Sequence, residues 1–154
     1  AERGPRTREY LSVMKAVWQE DAASFDGKYF SFPDLYAFPL PVQKPHPPMI
    51  FGGESVPALK RVADLGNGWQ PGPIPAQTLR ERMIQLKDLM ADRGRDMSEL
   101  SISMLADMSD LQENPEKLGE LAEIGVEEMV LFMTALDTDK TIGQLETAAN
   151  AFLS

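Results

Sequence analysis

The chain has 154 residues, 43% of them hydrophobic, which is enough for one ordinary domain with its own core. Its formal net charge of −9 argues against nonspecific binding to nucleic acid or to anionic membranes. Because it has no cysteine, disulfides, thiolate nucleophiles and cysteine-based metal sites are excluded, and this fits a cytoplasmic protein. We expect no signal peptide at the charged N-terminus, and no run approaches the roughly 18–20 apolar residues of a membrane span.

Residues 1–47 are predicted to form a helix, a hairpin and a proline-rich loop. Pro5 suits the first turn of a helix, and apolar residues follow it at helical spacing: Tyr10, Leu11, Met14, Val17 and Trp18. Aromatic residues surround Asp26-Gly27, which is typical of a tight β-hairpin. Residues 32–48 are dense in proline, which excludes helix and central strand, so we predict an extended surface loop within the domain.

Residues 48–154 are predicted to form four βα units. The strands are expected at residues 49–51, 67–70, 100–105 and 128–133. Helices are expected at residues 56–65, from Pro75 to a stop near Gly94, from Pro115 onward, and after a cap at Asp137 or Thr138. Strands that alternate with helices predict an α/β fold with a parallel sheet, in a single domain over residues 1–154. This pattern alone leaves half of a (β/α)8 barrel and a small doubly wound sheet as alternatives.

A paired-glycine turn is the most informative local feature. In Pro47-Pro48-Met49-Ile50-Phe51-Gly52-Gly53-Glu54-Ser55, a short buried strand is followed by two glycines and the start of a helix. A turn without Cβ atoms lets a phosphate approach the backbone, and the helix N-terminus offers free N–H groups and a positive dipole end. The alternative reading is a tight strand-to-helix turn without a ligand.

The chain resembles the C-terminal half of the luciferase-like flavin- or deazaflavin-dependent monooxygenases. The glycine turn and the later Gly66-Asn67-Gly68-Trp69 carry the resemblance together with three earlier segments, in family order and spacing. These segments are residues 2–18 with Glu9-Tyr10-Leu11, residues 24–30, and residues 41–48. The resemblance implies a TIM-type barrel of about 250 residues or more, so this chain is expected to lack roughly the first four strands.

The resemblance also implies a cofactor, either reduced FMN or F420, at the C-terminal mouth of the barrel. The matching phosphate contacts fall on residues at the end of the predicted strand and in its turn: Phe51, Gly52, Gly53, Glu54 and Ser55. Backbone N–H groups and the Ser55 hydroxyl are expected to bind phosphate oxygens, whereas Glu54 is expected to offer its main chain alone because its carboxylate would repel the ligand. A Gly53→Val change is expected to abolish binding and to leave the fold intact.

Other polar residues favour structural interpretations. His46, the sole histidine, is interpreted as a loop residue because no nucleophile or orienting carboxylate can be assigned to it. The acidic residues Asp107, Asp110, Glu127 and Glu128 are interpreted as solvated strand-end or helix-cap groups, and no metal or catalytic residue is predicted. Trp69 and the methionines are interpreted as core residues.

The sequence thus predicts the cofactor-phosphate-binding half of a luciferase-like flavin- or F420-dependent oxidoreductase. The alternatives are a noncatalytic half-barrel that serves as a binding or assembly module, and a doubly wound domain that binds a phosphorylated small molecule. We expect a homodimer, since a half-barrel leaves one sheet face open and two strand edges unpaired. The apolar residues expected on that open face include Met49, Phe51, Ile102, Met104, Val130 and Phe132.

Overall fold

The computed structural model describes residues 2–132 and 137–152. The chain divides into two compact units, Ala1–Pro48 and Met49–Ser154, which we call the N-terminal unit and the C-terminal unit. The boundary lies at the end of the proline-rich segment. The assignment of both parts to one domain stays a prediction.

The N-terminal unit consists of a helix, a hairpin and an irregular segment. Helix α1 spans Arg3–Gln19, and strands β1 (Ala23–Asp26) and β2 (Ser31–Leu35) pair antiparallel. Residues 27–30 connect the strands, and the Gly27 N–H donates to the Phe30 carbonyl oxygen at 2.8 Å, so the predicted hairpin is tight and turns at residues 28 and 29. The Glu9 carboxylate binds this turn, because it accepts the N–H groups of Lys28 (3.0 Å), Tyr29 (2.6 Å) and Phe30 (2.7 Å).

The proline-rich segment begins later than predicted. The loop expected over residues 32–48 is wrong for its first residues, because β2 continues through Pro33 to Leu35. Proline is tolerated there since β2 is an outer strand of a two-stranded sheet and one of its sides needs no N–H donor. Residues 36–48 contain no helix or strand. His46 is buried in this segment, with Nδ1 2.8 Å from the Pro47 carbonyl oxygen.

The C-terminal unit alternates strands and helices around a parallel sheet. Its elements are β3 (Ile50–Gly52), α2 (Val56–Leu65), β4 (Gly68–Gln70), α3 (Ala76–Ala91), β5 (Ser101–Asp107), α4 (Met108–Glu113), α5 (Glu116–Ile124), β6 (Glu128–Phe132) and α6 (Thr138–Phe152). The sheet has four parallel strands in the order β3-β4-β5-β6. The predicted α/β class and its four parallel strands are therefore confirmed.

The boundaries differ from the sequence prediction at a few points. Strand β5 runs two residues beyond the predicted end at Leu105, and the short helix α4 that follows it was missed. Its six residues are too few to show helical periodicity. The expected ends of the last strand at Met133 and of the last helix at Leu153 lie outside the described residues.

One face of the sheet packs against helices to form the core. Trp69, Ile102 and Met104 point to this face, where they meet apolar side chains of α2, α3 and α5: Leu59, Val62, Leu79, Leu86, Met90 and Leu121. Helix α2 contributes because its buried residues recur at a spacing of three to four along the chain. The helix-covered face therefore holds the large apolar residues of the middle strands.

The opposite face of the sheet, which we call the open face, carries a different set of residues from the predicted one. Ile50, Val130 and Phe132 lie on it and are 46%, 36% and 40% exposed. The assignment of Phe51, Ile102 and Met104 to this face is wrong, because these residues pack in the core, and Met49 is buried as well. The reason is strand alternation: the register pairs Phe51 with Trp69 and Trp69 with Ile102, so all of them share the helix-covered face.

Arg95 binds the last turn of α2, at the end of the sheet where the strands begin. Its guanidinium donates to the carbonyl oxygens of Ala63 (3.0 Å) and Gly66 (2.9 Å), which end helix α2. Its Nε also binds Glu99 at 2.9 Å, within a capping box formed by Asp96 and Glu99 around a 3-10 turn. Hydrogen bonds from the Ser98 and Asp96 backbone N–H groups hold the pKa of Asp96 and of Glu99, respectively, below their usual values.

Candidate functional site

The predicted site residues lie together at one edge of the sheet. Because all four strands are parallel, their carboxyl ends meet at this edge, where open α/β sheets bind ligands. Phe51 and Gly52 end β3, Gly53 and Glu54 form the turn, and Ser55 is the N-cap of α2. We call residues 53–55 the glycine turn. The side chain of Phe51 packs against the core, so only its backbone borders the turn.

The glycine turn requires residues without a Cβ atom. Gly53 has a φ of +93°, a conformation that residues with side chains rarely adopt, and a Cβ there would lie 3.3 Å from that of Ala58. At Gly52, a Cβ would lie 3.4 Å from the carbonyl oxygen of Gln70, which is an ordinary contact. Gly53→Val would therefore strain the turn itself, since a β-branched residue rarely adopts this φ, and the expectation that the fold stays intact remains a prediction.

Amide N–H groups of the glycine turn have no acceptor in the part of the chain that the structure describes. No protein oxygen there accepts from the N–H of Gly53, Glu54 or Ser55. Ser55 Oγ accepts from the N–H of Ala58 at 3.4 Å, so the hydroxyl is used as a cap and keeps its own proton for donation. Free N–H groups at the start of a helix form the arrangement that binds anions in many proteins.

The Glu54 carboxylate is bound to the loop that follows β4. Its Oε1 accepts from the N–H of Gly72 at 2.8 Å. The expectation that only the main chain of Glu54 faces a ligand stays a prediction. The hydrogen bond to Gly72 gives the carboxylate a structural role that the local sequence pattern does not indicate, because its partner lies in the loop between β4 and α3.

Trp69 contributes a hydrogen bond that was likewise missed. The residue is fully buried in the core, as predicted, and its indole Nε1 donates to the carbonyl oxygen of Gly53 at 2.9 Å. A buried tryptophan N–H nearly always needs an acceptor, so the requirement for a partner was readable from the sequence. The identity of the partner depends on the pairing of β3 with β4, which brings Phe51 beside Trp69.

The acidic residues considered in the sequence lie at the ends of strands or in a helix. Asp107 ends β5, and Glu127 and Glu128 are exposed at the start of β6. Asp110 forms an ion pair with Lys117 at 2.6 Å, on groups about half exposed. Within residues 2–132 and 137–152, no three His, Cys, Asp or Glu side chains are grouped so that they could hold a metal ion.

A cavity of about 380 Å³ lies at the carboxyl ends of β5 and β6. Its wall is formed by β5, β6, α4, α5 and the residues that lead into α3: Pro73, Ile74, Pro75, Ala76, Met104, Leu105, Ala106, Asp107, Asp110, Leu111, Lys117, Glu120, Leu121, Met129 and Phe132. Its charged groups include the Asp110–Lys117 pair. The glycine turn does not line this cavity, so the two features are separate parts of the same sheet edge.

The sequence of the chain is similar to those of several known proteins. The family model for luciferase-like monooxygenases matches residues 1–139. An uncharacterized protein of Mycobacterium tuberculosis is 32% identical over 143 residues, which are 92% of this chain and 48% of the relative. An FMNH2-dependent dimethylsulfone monooxygenase of Pseudomonas putida is 38% identical over 81 residues, or 49% of this chain and 22% of that protein. The chain thus spans about half the length of the mycobacterial relative and less of the other.

A solved structure gives the same fold. An F420-dependent secondary alcohol dehydrogenase, in complex with an F420-acetone adduct, superposes with a TM-score of 0.74 at 16% sequence identity. The likeness covers 97% of this chain and 62% of that chain, which is consistent with half of a barrel.

Among the residues that the structure describes, no helix has the length and apolarity needed to cross a bilayer.

Proposed function

The chain belongs to the luciferase-like monooxygenase family, and from this premise we propose that it is the cofactor-phosphate-binding part of a flavin- or F420-dependent oxidoreductase. The observation that carries the proposal is the glycine turn, with its free N–H groups at the carboxyl edge of the sheet. Both proposed cofactors carry a phosphate, so one site chemistry serves either of them.

The residues of the turn fit a phosphate group. The N–H groups of Gly53, Glu54 and Ser55 are donors without protein acceptors in the described chain, and helix α2 directs its positive end at the same place. Gly53 leaves the approach to the backbone open. The nearest acidic side chain, Glu54, is held away by its bond to Gly72. The turn therefore offers backbone hydrogen-bond donors to an anion, so no charged side chain is required to bind it.

The bound cofactor would supply the redox chemistry, in the form of hydride transfer or oxygen insertion at its reduced ring. This chain would hold the phosphate and so fix the distance of the ring from the sheet edge. Such anchoring matters because reactions at a bound ring require the reacting groups to be in register. The support for a flavin or F420 comes from the FMNH2-dependent relative and the F420-dependent structure.

A comparison of FMN with riboflavin tests the proposal, because the two flavins differ only in the phosphate. Equilibrium dialysis of the 154-residue chain against each flavin gives both dissociation constants. We expect FMN to bind at least about tenfold more tightly, the effect of one charge-assisted hydrogen bond. Equal affinities for the two flavins would contradict the proposed phosphate site, and binding of neither flavin nor F420 would contradict the proposed function.

A second candidate, a noncatalytic assembly module, is favoured by the exposed open face of the sheet. Ile50, Val130 and Phe132 are exposed there, and β3 and β6 are the outer strands. We propose that a second copy covers this face in a homodimer. A two-fold axis along the strands would place β6 beside β3 of the second copy with all strands parallel. Light scattering at micromolar concentration checks this, and a stable folded monomer would contradict it.

A further inference from the structure

Two hydrogen bonds tie the glycine turn to the neighbouring chain around β4. Trp69 Nε1 donates to the carbonyl oxygen of Gly53 at 2.9 Å, and the N–H of Gly72 donates to Glu54 Oε1 at 2.8 Å. We propose that Trp69 and Glu54 are positioning residues, which hold the turn so that its amide N–H groups face the cofactor phosphate. This inference rests on the proposed function of the turn.

The bond from Trp69 sets the direction of the next amide group. The peptide bond between Gly53 and Glu54 is trans, so its C=O and N–H point in opposite directions. The Gly53 carbonyl points at the indole of Trp69, which is fully buried on the helix-covered face. The N–H of Glu54 therefore points away from the core. Without this bond, the Gly53–Glu54 peptide could rotate, because glycine restricts its dihedral angles little.

The bond from Gly72 accounts for an acidic residue in a turn that would bind an anion. A carboxylate close to a phosphate weakens binding by charge repulsion. Glu54 is half-buried, and its Oε1 is occupied by the Gly72 N–H, so the side chain joins the turn to the β4–α3 loop. The charge of Glu54 and its hydrogen bond thus have opposite effects on phosphate binding, which allows them to be separated by substitution.

Glu54→Ala and Glu54→Gln separate the two effects. Both remove the charge, but glutamine keeps an oxygen that can accept from the Gly72 N–H. The measured quantity is the FMN preference, the ratio of the riboflavin and FMN dissociation constants. We expect Glu54→Ala to lower the preference about tenfold and Glu54→Gln to keep or raise it. If the carboxylate acted only by repulsion, both variants would raise the preference, and that result would overturn the role of Glu54.

Trp69→Phe tests the other hydrogen bond. Phenylalanine keeps an aromatic ring in the core but has no N–H donor. We expect the FMN preference to fall about tenfold while riboflavin binding is unchanged. Met90→Ala is the control for destabilisation by loss of buried side-chain volume. Met90 is fully buried in the last turns of α3, away from the glycine turn. It should lower the melting temperature and leave the preference unchanged.

The outcomes separate this inference from the proposed function. If the wild-type chain shows no preference for FMN, the proposed function fails and the positioning role fails with it. If the wild type prefers FMN but Trp69→Phe and Glu54→Ala keep that preference, the positioning role alone is refuted. A loss of preference in Met90→Ala equal to that in Trp69→Phe would also refute it, since general destabilisation would then explain both. Should Trp69→Phe not fold, the Glu54 pair decides.

Discussion

Replacement of Gly53 by alanine should destabilise the protein and weaken phosphate binding together. Gly53 has a φ of +93°, and left-handed backbone costs a residue with a Cβ about 1–2 kcal/mol. The added Cβ would lie 3.3 Å from the Cβ of Ala58, so the turn must also shift by a few tenths of an ångström. For a chain of this size, we expect the melting temperature to fall by roughly 2–8 °C.

Gly125→Ala is the matched control, because Gly125 has a φ of +106° and its Cβ would lie 3.4 Å from Met83 Cε. Gly125 is the C-cap of α5 and precedes β6, so it lies at the other edge of the sheet. Calorimetry should give similar melting temperatures for both variants, whereas only Gly53→Ala should lose the preference for FMN over riboflavin. An unchanged melting temperature in Gly53→Ala would refute the predicted backbone strain at this position. An equal loss of FMN preference in both variants would refute the placement of the phosphate site at the glycine turn.

Three further predictions concern stability, pH and activity. Arg95→Met should lower the free energy of unfolding by about 2 kcal/mol in urea titrations, because it removes charged donors from the end of α2. Arg80→Met should have little effect, since its ion pair with Glu120 is exposed, and equal losses would contradict the role of Arg95. The lowered pKa values of Asp96 and Glu99 give a stabilisation that is present above their ordinary values and lost as pH falls through the folded-state values. Urea titrations below about pH 4 should therefore show a steeper loss for the wild type than for Asp96→Ser/Glu99→Gln, and parallel curves would contradict this. Steady-state assays of the 154-residue chain with reduced FMN and with F420 should give no turnover above the buffer blank, and turnover at an ordinary enzyme rate would contradict this.

The order of strands and helices in the C-terminal unit was predictable from the sequence because each element carries its own local signal. The predicted helix at residues 56–65 is observed as Val56–Leu65, since Ser55 provides a cap and apolar residues recur at helical spacing. The glycine turn was predicted for a similar reason, because two adjacent glycines between a strand and a helix indicate a turn. The structure has that turn between β3 and α2, with a φ of +93° at Gly53.

Features that depend on pairing between distant residues were not predictable. The open face was assigned wrongly because apolar residues in a short strand do not indicate which face they occupy, and Ile50 and Phe51 are both apolar. The roles of Trp69 and Glu54 depend on contacts 16 and 18 residues away along the chain, to Gly53 and Gly72. Such contacts follow from the β3–β4 register, which the sequence pattern does not specify.

The most direct test of the central claim is a titration of the 15N-labelled chain with FMN, followed by amide chemical shifts. We expect the largest saturating shifts at the amides of Gly53, Glu54 and Ser55, with little change at Gly125, and no such shifts when riboflavin replaces FMN. Shifts confined to the wall of the cavity near Lys117, or no saturating shift at residues 53–55, would contradict the placement of the cofactor phosphate at the glycine turn.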